Sequence, residues 1–98
     1  MVEIDYYEEE LDEELEKEII AWIEKHRKDI EEALKEIEKS KFPTELQVEF
    51  FINSGRLFCY TWEYCLRVSI DGIFLVVKEY TDDPSDPVSE ATIAEIYL

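Results

Sequence analysis

The chain has 98 residues and a formal net charge of -16, from 26 acidic against 10 basic side chains. That length allows one domain with one modest core, and 46% hydrophobic with 13% aromatic residues excludes a disordered acidic tail. The charge argues against direct binding to DNA, RNA or an anionic membrane, which need cationic contacts, and favours a basic protein partner.

The first nine residues read as an acidic lead-in. Over residues 10–40 the pattern turns helical. Leu15, Ile19, Trp22, Ile23, Ile30, Ala33, Leu34 and Ile37 recur at three- and four-residue spacing along one face. Glu13–Lys17, Glu24–Lys28 and Glu31–Lys35 have the favourable acid-before-base order. Pro43 predicts a stop near Ser40–Phe42.

From about residue 45 to 80 the period becomes two. In Leu46, Val48, Phe50 and Ile52 every second residue is apolar, alternating with Gln47, Glu49 and Asn53, and Phe58, Tyr60, Trp62, Tyr64, Leu66, Val68 and Ile70 repeat the pattern. A three-residue loop at Asn53-Ser54-Gly55 would pair Phe50 with Phe58 and keep both apolar sets on one face. Asp71-Gly72 predicts a two-residue hairpin that pairs Val68 with Leu75 and Leu66 with Val77. Residues 81–87 read as a loop. Asp86-Pro87 then reads as N-cap and first position of a short helix over 88–98, with a fourth strand as the alternative. The expected class is α+β: a long amphipathic helix on a three- or four-stranded antiparallel meander, in a single domain.

Charge is uneven along this frame. Residues 1–18 carry ten acids and one base, residues 19–41 six of each, and residues 42–98 ten acids and three bases. One or two acids would complement the dipole at a helix start. Ten in eighteen positions bring like charges to i,i+4 spacing, as at Glu10, Glu14 and Glu18, which destabilises an isolated helix. Carboxylates one turn apart stand ~6 Å apart along the axis, of the same order as the phosphate repeat of a nucleic-acid strand. Glu8, Glu9, Glu10, Asp12, Glu13, Glu14 and Glu18 are therefore the candidate partner-binding patch.

Chemistry-bearing constellations are scarce. His26 is the single histidine and sits on the apolar stripe between Trp22 and Ile30, which suits packing better than catalysis. Cys59 and Cys65 have no nucleophile motif around them, and one extended strand would hold them ~20 Å apart, too far for a disulfide. Asp82-Asp83-Pro84-Ser85-Asp86 lacks the glycine and terminal glutamate of a calcium loop. Glu63 alternates away from the neighbouring rings, and no acid pair stands out for hydrolysis. No enzyme activity, cofactor or metal is expected.

No apolar run reaches about 18 residues, and MVEIDYYEEE lacks a cationic leader, so a cytoplasmic protein is expected. The odd-numbered face of the sheet carries Phe51, Leu57, Cys59, Phe74 and Val76. A single helix covers one sheet face only, so these residues are a candidate packing or dimer face. A homodimer through this face or a strand edge is expected.

The order of a charged helix, an aromatic Glu-bearing strand (FCYTWEYCLRVSI) and a hairpin into IFLVVKEY resembles small acidic proteins of archaeal rod-shaped and filamentous viruses. These include anti-CRISPR inhibitors of type I-D systems. The resemblance spans roughly residues 10–80 and is one of pattern; no functional residue carries over by position. It implies a dimeric inhibitor in the host cytoplasm that uses carboxylates to occupy the nucleic-acid-binding surface of an effector. A small dimeric scaffolding protein is the alternative.

Overall fold

Asp12 starts the helical layer: its backbone is extended and its carboxylate accepts the Leu15 N–H at 2.9 Å, a side-chain N-cap. The computed structural model describes residues 1–81 and 87–98. Helix α1 (Glu13–Lys25) and helix α2 (Arg27–Lys39) share the predicted stripe, with Ile19, Ile23, Ile30 and Ile37 wholly or almost wholly buried. The single long helix is thus corrected to two, hinged at His26. The His26 backbone N–H and ring Nδ1 both reach the Trp22 carbonyl, at 3.0 and 2.9 Å, and the ring stacks on Trp22 at 4.2 Å. The His26 backbone itself leaves the helical region, at φ -106° and ψ 16°, and a side chain competing for a helical carbonyl favours such a break. Ser40 leaves the helical region, and a 3₁₀ turn over Pro43–Glu45 follows, where the proline predicted a stop.

Five antiparallel strands form the second layer: β1 (Glu3–Tyr6), β2 (Gln47–Leu57), β3 (Tyr60–Ser69), β4 (Gly72–Tyr80) and β5 (Ser89–Tyr97), in the order β1-β5-β4-β3-β2. The helices cover one face, against Leu66, Val68, Ile73, Leu75, Ala94 and Ile96. Burying each large aliphatic side chain there contributes ~1.5–3 kcal/mol. Among the described residues, no helix is long and apolar enough to cross a membrane.

The lead-in is more structured than expected. Val2, Ile4 and Tyr6 turn inward while Glu3 and Asp5 stay exposed, and β1 forms a ladder on β5. The expected C-terminal helix is corrected to strand β5. A helix there would leave the outer edge of β4 without ladder partners, and the Thr-Ile-Ala-Glu-Ile alternation satisfies it. Asp86, the expected cap, and the Asp82–Asp86 stretch lie outside the described residues.

Both hairpins are displaced from their predicted turns. A turn at Asn53–Gly55 would strand the second half of β3 on that edge. Instead β2 runs on to Leu57, and Phe58-Cys59 makes the turn between paired Leu57 and Tyr60. Phe50 therefore faces Leu66, not Phe58. Ile52 is an extra residue, a bulge between the Phe51–Cys65 and Asn53–Tyr64 pairs. At the next hairpin Ile70-Asp71 turns the chain, pairing Val68 with Ile73 and Leu66 with Leu75. That shift moves the partners by two residues, so every side chain keeps its face. Gly72 (φ +144°) is needed here, since a Cβ would meet the Phe74 ring at 3.3 Å.

Phe58 takes a left-handed φ of +56° with its ring 86% exposed. A non-glycine residue in that region costs ~1–2 kcal/mol. Phe58→Gly should therefore raise the stability of the dilute protein by about 1 kcal/mol, read as a higher urea midpoint at unchanged slope.

Candidate functional site

The acidic block is built around the start of α1. Glu8, Glu9 and Glu10 lie in the connection from β1, Asp12 is the cap, and Glu13, Glu14 and Glu18 follow in the first turns. All seven are exposed. The expected Glu10–Glu14–Glu18 row is corrected: Glu10 precedes the cap, whose extended backbone takes it off the helical track. Glu14 and Glu18 remain one turn apart.

Three contacts hold this block in place. The Tyr6 hydroxyl donates to Glu16 at 2.8 Å, Asn53 Nδ2 donates to Glu18 at 3.0 Å, and Asp12 caps the helix. Burial, and then the Glu16 carboxylate, push the Tyr6 phenol well above its ordinary range. Glu13 has Lys17 at 3.6 Å, with both side chains largely exposed, a pair worth little. Among the described residues Glu8, Glu9, Glu10 and Glu14 have no basic partner within 4.0 Å.

The block also frames two shallow clefts. Asp12, Glu14 and Glu18 border one with Asn53, Gly55 and Tyr64. Glu9, Glu10 and Leu11 border the other with Trp62, Tyr64 and Ile93. Tyr64 lines both, and burial followed by the nearby Asp12 charge raises its phenol. The block is thus a rim of fixed negative charge over aromatic walls, suited to receiving cationic side chains.

The expected apolar face does not assemble as one surface. Phe51 is exposed and Phe74 half-buried, but Val76 is wholly buried. The Ile52 bulge flips the strand beyond it, so Leu57, opposite Tyr60, turns to the helix-covered side, and Cys59 sits in the turn. Cys59 and Cys65 are free thiols, one exposed and one buried, and burial pushes Cys65 up.

What closes over Cys65 and Val76 is a charge network that sequence reasoning missed. Glu49 accepts from Arg67 Nε at 2.7 Å and from Lys78 Nζ at 2.5 Å, and Arg67 also reaches Glu90. These four residues come from β2, β3, β4 and β5. The signal was opposite charges on the outward faces of neighbouring apolar strands, brought opposite one another as in the Glu49–Arg67 and Lys78–Glu90 pairs, legible only with correct registers. Burial pushes Glu49 up, but hydrogen bonds from Lys78 and Arg67 outweigh it and hold the carboxyl below its ordinary 4.5. The Glu49 bond likewise raises Lys78 above its ordinary 10.5.

The pH dependence follows in sign. A depressed carboxyl stabilises fully above its unfolded value, and the contribution fades as pH falls through the folded one. Lys78 loses its contribution only as pH rises past its raised value. Glu49→Gln should therefore cost ~1–2 kcal/mol at pH 7. The gap between variant and wild type should close as pH drops below 4.5. Parallel urea titrations from neutral to acid pH measure it; a gap independent of pH would mean the network contributes no charge-dependent stability.

Among the described residues no three His, Cys, Asp or Glu side chains converge as metal ligands. Comparison with protein-family models, with curated proteins and with solved structures returned no match.

Proposed function

We propose that this chain is a non-enzymatic acidic binding protein that stands in for a nucleic acid. It occupies a Lys- and Arg-lined surface of a nucleic-acid-binding partner, as an inhibitor of the anti-CRISPR or anti-restriction kind. The observation that carries this reading is the acidic block itself. Exposed carboxylates without basic partners are held on a helix start that is capped by Asp12 and pinned through Glu16 and Glu18. A merely solubilising coat needs no such anchoring. A second reading, a small dimeric scaffolding protein, is favoured by the open outer edge of β2.

Capture from host lysate at graded salt tests the proposal. A mimic recovers a nucleic-acid-binding protein, loses it as salt screens the charges, and is competed off by added DNA or RNA. Capture indifferent to both salt and nucleic acid would rule mimicry out.

A further inference from the structure

The outer edge of β2 differs from the rest of the surface. β2 is eleven residues long, against four for the other edge strand, β1. It contains no Lys or Pro, two residues that commonly guard an edge against pairing. Leu46, Phe51, Leu57, Phe58 and Tyr60, five of the eleven exposed large hydrophobic residues among those described, lie on β2 or beside its ends. From residue 40 to 62 the charges are Lys41, Glu45, Glu49 and Arg56, a net of zero in a chain of -16. Gly55 adds a separate clue. Its φ is not positive, and a Cβ there would meet nothing within 4 Å. Nothing among the described residues requires glycine at this place, and glycine in a strand commonly marks the close approach of another backbone.

We infer that β2 pairs antiparallel with β2 of a second copy, joining two five-stranded sheets into one of ten strands. The bulge selects the register. Before Ile52, Glu49 and Phe51 point to the open face; after it, Ser54 and Arg56 do. About a two-fold axis, faces match only when residues before the bulge oppose residues after it. Placing Ile52 opposite the partner's Asn53 sets Val48 against Leu57, Phe50 against Gly55, Phe51 against Ser54 and Glu49 against Arg56, each pair occurring twice. The Phe50 ring then lies over the glycine, a known cross-strand compensation. The adjacent face-preserving registers put Arg56 against Gln47 or Phe51 and lose the charge match. In the favoured register the hairpin tip of each copy reaches the exposed Leu46 end of the other.

Salt separates this contact from the proposed partner binding. Two acidic copies repel, so salt strengthens self-association through a neutral edge, whereas it weakens capture of a basic partner. The dimer therefore stands or falls independently of the mimic reading.

Sedimentation of the full chain should give twice the 11.7 kDa monomer mass, with a dimer fraction that rises with salt. Arg56→Glu and Gly55→Val should each weaken association at least tenfold at unchanged circular dichroism. Gly55→Val has open space in the monomer, so the fold tolerates it. In a Cys59→Ser, Cys65→Ala background, which removes the thiol standing opposite residue 51 in the same copy, mixed Phe51→Cys and Ser54→Cys proteins should cross-link on oxidation faster than either alone. A monomer at every salt concentration, a dimer indifferent to Gly55→Val, or equal cross-linking of either variant alone would each overturn the inference.

Discussion

Replacing Leu66 by alanine is expected to remove about 3–4 kcal/mol of stability, the largest single-residue effect predicted for this fold. Leu66 has no exposed surface and stands between Phe50 and Leu75 on neighbouring strands, beneath the helices. Truncation there loses transfer energy and leaves a cavity that two braced neighbours cannot collapse. A domain of this size has roughly 5–15 kcal/mol in total, so the variant should melt ~15–25 °C lower. Thermal unfolding at low protein concentration, where self-association contributes nothing, gives the comparison. Val88→Ala, at a residue 57% exposed, should stay within ~0.5 kcal/mol. A Leu66→Ala loss as small as that control would mean the helix–sheet interface is not the main source of stability.

The fold was legible wherever one period ran long. Thirty residues of helical spacing and two alternating runs gave the class, the helix-facing set and the meander. Legibility failed where local signals competed with ladder completion. Asn53-Ser54-Gly55 is a sound turn on its own, yet β3 needed partners along its whole length, and Phe58-Cys59 turned the chain at a strained φ instead. Residues 88–98 satisfied both a helix start and an alternating strand, and the unpaired edge of β4 decided between them. Val2, Ile4 and Tyr6 also alternate, but three apolar positions among so many acids are easily passed over. At His26 the backbone leaves the helical region (φ -106°, ψ 16°) and the ring reaches the Trp22 carbonyl, a break that spacing does not encode.

The candidate surfaces divide on the same lines. The acidic block was visible because charge density is countable, and it sits on exposed positions as local sequence suggests. Its anchoring by Tyr6 and Asn53 was not visible, because both contacts join segments far apart in the chain. The apolar face failed on three counts: the extra residue Ile52 reverses the strand beyond it and turns Leu57 away, the displaced hairpin puts Cys59 in the turn, and the charge network closes over Val76. The same bulge makes β2 self-complementary, with Glu49 and Arg56 brought to one face seven positions apart.

Reversing Glu10, Glu13 and Glu14 to lysine should abolish capture of a basic partner, by roughly 10²-fold or more if each site meets a cation. The three are chosen by what they leave untouched. Asp12 still caps α1, Glu16 still takes the Tyr6 hydroxyl, and Glu18 still takes the Asn53 amide. The cost to the fold is small: one exposed Lys17 pair and unfavourable charge at the helix start, ~0.3–1 kcal/mol per residue, offset by relief of repulsion among the remaining acids. Reversing Glu32, Glu36 and Glu38 makes the same change in net charge on the exposed side of α2. Affinity measured across a salt series should fall, and its salt slope flatten, for the first triple alone. Equal losses in both triples would assign the interaction to overall charge, and unchanged binding in the first would place the contact away from the start of α1.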